Sequence, residues 1–138
     1  MATTTSQFTN FAELAVMNWT FTTTAMTGTN TRPTAWYIGL STSVPTSIGN
    51  ITEPIGNGYS RKPVTFSQSG GNPATSTNFE LLQFTASGGD WGTVLYGLVY
   101  DALTAGNCWC YGPLASPKVI DNGDTIQLQP AAFAVGII

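Results

Sequence analysis

The chain of 138 residues contains no histidine, and only 8% of its residues are charged. Histidine is the commonest general base and a frequent metal ligand, so its absence excludes Ser-His-Asp and Cys-His catalytic arrangements. The four basic residues are too few to contact a row of phosphates, which excludes nucleic-acid binding. These four residues are Arg32, Arg61, Lys62 and Lys118.

Two kinds of hydrophobic segment are also missing. No apolar run is long enough to cross a bilayer, so membrane insertion is not expected. The start of the chain, MATTTSQFTNFAEL, lacks the basic residues and the apolar stretch of a secretory signal. We therefore expect synthesis in a cytoplasm, where Cys108 and Cys110 stay reduced.

The seven acidic residues offer no catalytic pair. A glycosidase needs two facing carboxylates, and Glu80 alone lies inside a predicted strand. Asp121 and Asp124 enclose the hairpin dipeptide Asn-Gly, and this turn supplies too few oxygens for calcium. The sequence therefore predicts no enzyme, with no catalytic, cofactor-binding or metal site.

The segment Cys108-Trp109-Cys110 lacks both the spacing and the second ligand pair of a zinc site. In a regular strand the two thiols would share one face, with Trp109 on the other. We therefore interpret both cysteines as small buried hydrophobic residues on the same face.

Thr, Ser, Asn and Gly take the place of the missing charge. Hydroxyl and amide groups cost less to desolvate than charges, and the cores of protein interfaces are depleted in charge. The composition favours a protein that works packed against neighbours. The alternative is a β-protein whose surface is simply rich in threonine.

Beyond residue 33 the chain shows the alternation and the turn residues of strands. We predict one all-β domain, a β-sandwich or jelly roll of about eight short strands over residues 34–138. Pro63 indicates an edge strand. Val94, Tyr96, Leu98 and Tyr100 are expected to share one face. The predicted strands are 34–42, 59–67, 79–85, 91–100, 107–111, 119–120, 125–129 and 132–138.

Residues 1–33 are predicted to form an N-terminal arm and a short helix. Asn10 followed by Glu13 fits a capping box, and the apolar spacing predicts a helix over residues 11–19. The arm and helix carry more apolar surface than a short helix needs to sit on a small sandwich. We predict that this surface is an assembly interface; the alternative is that the helix caps one open end of its own sandwich. The predicted interface residues are Phe8, Phe11, Leu14, Met17, Trp19 and Phe21.

The aromatic residues raise the question of a carbohydrate site. Most fall at alternating strand positions, where core packing is the usual explanation. Trp91, beside Gly88, Gly89 and Asp90, is the one candidate at the edge of a loop.

Several segments in a fixed order resemble a family of small virion proteins from tailed bacteriophages. They are 35–42 (AWYIGLST), 56–66 (GNGYSRKPVTF), 91–107 (WGTVLYGLVYDALTAGN) and 111–126 (YGPLASPKVIDNGDTI), with NFAELAVMNWTF as the N-terminal helix. The resemblance implies a β-sandwich or jelly roll that assembles as a symmetric oligomer on the virion. It implies no catalytic or ligand-binding residue.

Two functions follow from this resemblance. The leading hypothesis is a capsid decoration protein, a homotrimer that binds the major capsid protein or other virion proteins and stabilises the head shell. The alternative is a tail or tail-fibre domain that recognises the host surface. The longest predicted loop, residues 43–58, contains no aromatic residue. Because a receptor-binding loop is expected to expose aromatic side chains, this favours decoration of the head over binding to a receptor.

Overall fold

A computed structural model describes residues 7–23, 31–71 and 74–136, and these residues form ten strands and one helix. The start of the predicted N-terminal arm, residues 1–6, lies outside the described residues. The elements are β1 (Gln7–Phe8), α1 (Asn10–Phe21), β2 (Trp36–Ser41), β3 (Lys62–Val64), β4 (Phe66–Ser69), β5 (Thr75–Asn78), β6 (Leu82–Thr85), β7 (Gly92–Tyr100), β8 (Cys108–Ile120), β9 (Thr125–Leu128) and β10 (Ala134–Gly136). Within the described residues, no helix is long and apolar enough to span a membrane.

The strands form three antiparallel sheets, which confirms the predicted all-β sandwich. The largest has the order β1-β8-β7-β2-β3, and two smaller sheets have the orders β10-β5-β4 and β6-β9. Strand β3, which contains Pro63, lies at the edge of the large sheet as predicted, because proline has no N–H to donate to a further strand.

The main core lies between the large sheet and the smaller ones. Ile38, Leu40 and Val99 of the large sheet belong to the same buried cluster as the apolar residues of β6 and β9. Phe133 is fully buried and lies against Gly97, where a Cβ atom would stand only 2.6 Å from the phenyl ring. The absence of a side chain at residue 97 therefore makes room for the ring. The apolar residues that β6 and β9 contribute to this main core are Leu82, Phe84, Ile126 and Leu128.

The predicted strand 59–67 is divided between β3 and β4, which belong to different sheets. Two other predictions of strand positions also differ from the structure. The predicted loop 68–78 contains β5, whose polar sequence TSTN carries no apolar alternation and pairs with β4 and β10 on its two sides. The predicted strands 107–111 and 119–120 are parts of one strand, β8, which pairs along β7. In both places the strand depends on its hydrogen-bonded neighbours more than on its own pattern.

The pairing of β7 with β8 is interrupted by two register shifts. One lies between Val94 and Tyr96, so Val94 belongs to the main core while Tyr96 packs in a second cluster on the other side of the sheet. The prediction that Val94 shares a face with Tyr96, Leu98 and Tyr100 is therefore wrong. A bulge changes which face the following side chains occupy, and the apolar pattern does not reveal it.

The second shift separates the two cysteines. Val99 pairs with Cys110 and Tyr100 with Cys108, which leaves Trp109 as the extra residue of a bulge. Cys110 lies in the main core and Cys108 packs in the second cluster, so the prediction that both share one face is wrong. Both cysteines are free, and burial raises the pKa of the Cys108 thiol to about 12 and also raises that of Cys110. Neither thiol is therefore a reactive thiolate at neutral pH.

Candidate assembly surface on the N-terminal helix

Helix α1 begins one residue earlier than the capping box predicts. Its N-cap is Thr9, whose Oγ1 accepts a hydrogen bond from the amide of Ala12 at 3.3 Å and donates one to the carbonyl of Cys108 at 2.7 Å. At the other end, Thr20 Oγ1 donates to the carbonyl of Val16 at 2.7 Å, and the helix continues to Phe21. The cap thus fixes the start of the helix on strand β8.

The inner face of α1 packs on its own β-domain. Ala12 and Ala15 are buried, and their small side chains let the helix approach the sheet. The Trp19 ring stacks on the Trp109 ring at 5.3 Å between centroids, and Phe11 meets the same ring edge-on at 5.2 Å. The helix therefore packs against its own β-domain at the Trp109 bulge.

The outer face of α1 exposes three large apolar side chains. Leu14 is 58% exposed, Met17 is 55% exposed and Phe21 is 74% exposed. Their spacing of three and four residues places them on one side of the helix. We call these three residues the helix stripe.

The structure thus divides the six predicted interface residues between two faces. Leu14, Met17 and Phe21 form the exposed stripe, whereas Phe8, Phe11 and Trp19 pack against the chain's own core. The division depends on contacts with Trp109, which helical spacing alone does not reveal. That the stripe is an interface stays a prediction.

A largely buried ion pair, in which Glu53 remains 20% exposed, lies on the far side of the large sheet and was not indicated by the sequence. Arg61 is 8% exposed, and its Nε and Nη2 donate to the two carboxylate oxygens of Glu53 at 3.0 and 2.7 Å. Its Nη1 donates to the carbonyls of Ala102 and Ala105 at 2.8 and 2.7 Å. The guanidinium carbon lies 3.3 Å from the centroid of the Tyr100 ring. Arg61 therefore ties the 101–106 loop to the long loop that contains Glu53.

The pKa values of Arg61 and of the two tyrosines that contact this ion pair, Tyr59 and Tyr100, lie far above neutral pH. Burial and the hydrogen bond to Glu53 raise the pKa of Tyr59, and burial raises the pKa of Tyr100 to about 12. Burial alone would lower the pKa of Arg61, but the hydrogen bonds and the charge of Glu53 outweigh it and raise that pKa. Arg61 and the two tyrosines thus keep one protonation state near neutral pH, and we assign them a structural role.

Trp91, the candidate for a carbohydrate site, has a structural explanation. Its ring is buried and meets Tyr59 edge-on at 5.4 Å, and its Nε1 donates to the carbonyl of Asn57 at 2.9 Å. The indole N–H is therefore used inside the protein, where it holds the 56–58 turn against the start of β7.

The Asp121–Asp124 turn is also explained by its hydrogen bonds, one within the turn and one to Asp90. Asp124 Oδ2 accepts from the amide of Asp121 at 3.0 Å, and Asp90 Oδ1 accepts from the amide of Asn122 at 2.8 Å. Among residues 7–23, 31–71 and 74–136, no group of three or more His, Cys, Asp or Glu side chains is arranged to hold a metal ion. The turn connects β8 of the large sheet to β9 of the sheet β6-β9, so it joins two sheets and is not the β-hairpin that the Asn-Gly dipeptide predicts.

A known protein family matches most of the chain. The model of the family described as podophage GP4 fiber I protein gp80 matches residues 7–136. The match includes the helix stripe and all ten strands. No curated protein matches the chain.

Proposed function

Because the chain belongs to the family of the podophage GP4 fiber I protein gp80, we propose that it is a non-enzymatic component of a phage tail fibre that assembles with copies of itself. The family description names a fibre, and this supports the tail-fibre alternative better than the capsid decoration hypothesis. The virion surface remains the proposed location, with the tail favoured over the head.

The helix stripe is the observation that carries the proposal of self-association. A monomeric soluble protein rarely exposes a contiguous apolar patch without a use for it. Burying each of its large apolar side chains is worth about 1.5–3 kcal/mol, and a symmetric oligomer repeats that contribution in every copy. Glu13 is the only charged residue of α1, so little charge repulsion opposes the approach of two or three helices.

We propose a homotrimer in which the stripes of three copies meet near the symmetry axis. The inner face of α1 is fixed to its own domain by Trp19 and Phe11, so the outer face is presented at a defined angle. Other virion proteins would attach the assembly to the tail, and its free surface would face the host.

Replacing Leu14, Met17 and Phe21 together with glutamine tests this role. Glutamine keeps the helix propensity but removes the apolar surface, so we expect an oligomer for the natural chain and a monomer for the triple variant. Light scattering coupled to size exclusion measures the mass, and circular dichroism checks that the fold is unchanged.

The matched control is Val119→Gln, because Val119 is an exposed apolar residue on β8, remote in sequence from the helix. This variant is expected to remain an oligomer. The proposal is contradicted if the natural chain is monomeric at high concentration, or if the triple variant keeps the mass of the natural chain.

A further inference from the structure

A cleft that the sequence did not indicate lies between helix α1 and the sheet β10-β5-β4. Its volume is about 560 Å³, which is within the range of sites for small molecules, and it is partly open to solvent. Its tryptophan wall consists of Trp19, Trp36 and Trp109, and its sheet wall consists of the lining residues on β4, β5 and β10. We call this space the aromatic cleft.

The sheet wall presents a polar pair flanked by apolar residues. Gln68 of β4 pairs directly with Ser76 of β5, and Ser76 pairs with Val135 of β10, so the three side chains form a row across the sheet. Phe66 lies two residues from Gln68 on the same strand and also lines the cleft. A ligand would therefore meet an amide and a hydroxyl between two apolar side chains.

The buried Trp109 holds the two partly exposed tryptophans of the cleft, Trp19 and Trp36, in place. Trp109 is buried, and its Nε1 donates to Asp101 Oδ2 at 3.1 Å. Trp36 meets the Trp109 ring edge-on at 5.3 Å, and both Trp36 and Trp19 remain only partly buried. The partly exposed indoles are thus supported by a buried one and are preorganised for contact with a ligand.

The lining of the aromatic cleft limits the chemistry of its ligand. None of the lining residues is charged, so an ionic ligand would find no counter-charge there. Within the described part of the chain, the side chains of its four polar residues make no hydrogen bond, and a pure hydrocarbon would leave them without partners. These four residues are Thr34, Thr65, Gln68 and Ser76.

We propose that the aromatic cleft binds a neutral sugar unit of a polysaccharide. A pyranose ring has an apolar C–H face, which packs against an indole, and hydroxyl groups, which hydrogen-bond to amide and hydroxyl side chains. A ligand with both features satisfies the two walls at once. This proposal rests on the proposed fibre role in one respect, because in that role the polysaccharide comes from the host surface.

Titration of the full chain with single sugars tests the cleft. The neutral probes are glucose, galactose, mannose, rhamnose and N-acetylglucosamine, and the charged probes are glucuronate and glucosamine. We expect at least one neutral sugar to bind at millimolar concentration, with shifts of the Trp36 and Trp19 indole N–H signals in NMR spectra. The charged probes are expected to bind at least about tenfold more weakly, because a desolvated charge without a partner is unfavourable.

Two variants of the sheet wall locate the site without disturbing the core. Gln68→Ala and Ser76→Ala are each expected to weaken binding by about three- to tenfold, which is the effect of one lost hydrogen bond. Gln83→Ala is the matched control, because Gln83 is an exposed amide on β6 outside the cleft lining. Its affinity for the sugar is expected to equal that of the natural chain.

The proposal is overturned if no neutral sugar binds at tens of millimolar, if the charged probes bind as well as the neutral ones, or if Gln68→Ala and Ser76→Ala bind like the natural chain. Light scattering on the same samples separates this result from the fibre proposal. An intact oligomer that binds no sugar overturns the cleft alone, whereas a monomer that binds sugar overturns self-association alone.

Discussion

Replacing Arg61 with methionine is expected to lower the free energy of unfolding by about 3–5 kcal/mol, the cost of breaking a buried ion pair from one side. Methionine fills part of the volume but leaves the Glu53 carboxylate without its two donors. It also leaves the carbonyls of Ala102 and Ala105 without theirs. For a domain of this size we expect the melting temperature to fall by about 10–20 °C.

Thermal and urea unfolding followed by circular dichroism measures this effect. Arg32→Met is the matched control, since Arg32 is exposed and its replacement is expected to change stability by less than about 0.5 kcal/mol. Arg61→Lys is expected to recover little, because an ammonium group does not reproduce the two-pronged contact with Glu53. A loss below about 1 kcal/mol in Arg61→Met would show that the pair contributes no more than a surface salt bridge.

Replacing Asn78 with leucine is expected to cost about 3–5 kcal/mol, because one buried and two partly buried backbone groups lose their hydrogen-bond partners. Asn78 is 1% exposed, and its Nδ2 donates to the carbonyls of Glu80 and Gln129 at 2.9 and 2.8 Å. Its Oδ1 accepts from the amide of Phe133 at 2.8 Å. One side chain thus joins β5 to the segment between β9 and β10.

Urea unfolding gives the loss of stability, and hydrogen exchange gives its location. We expect the amides of β10 and of Phe133 to exchange faster in Asn78→Leu than in the natural chain, because this segment loses its attachment first. Gln83→Leu serves as the control, since Gln83 is an exposed amide and changing it is expected to leave both measurements nearly unaltered. Equal stability of the two variants would contradict the role given to Asn78.

The sequence predicted the features that depend on a few neighbouring residues. Alternation of apolar residues located β2 and β7, and Pro63 located an edge strand, because these patterns act over a few neighbouring residues. The resemblance to tailed-phage virion proteins is confirmed by the family match over residues 7–136. The same resemblance did not distinguish head from tail, since it includes proteins from both.

The remaining features depend on partners distant in the sequence. Nothing local marks Arg61 as the partner of Glu53 and of the 101–106 loop, or Asn78 as the acceptor for Phe133. The bulge at Trp109 turns Cys108 away from Cys110 and gives Phe11 and Trp19 a surface for packing. The aromatic cleft depends on that bulge as well. Gln68 and Ser76 look like ordinary surface residues until the sheet β10-β5-β4 brings them into the same cleft as the tryptophans.

Cryo-electron microscopy of the phage particle that carries this protein tests the proposed fibre role most directly. We expect the β-sandwich to fit density in a tail fibre, in symmetric copies whose residues Leu14, Met17 and Phe21 face one another across the contact between helices. Copies arrayed over the head shell, or a tail assembly in which the helix stripe faces solvent, would contradict the account.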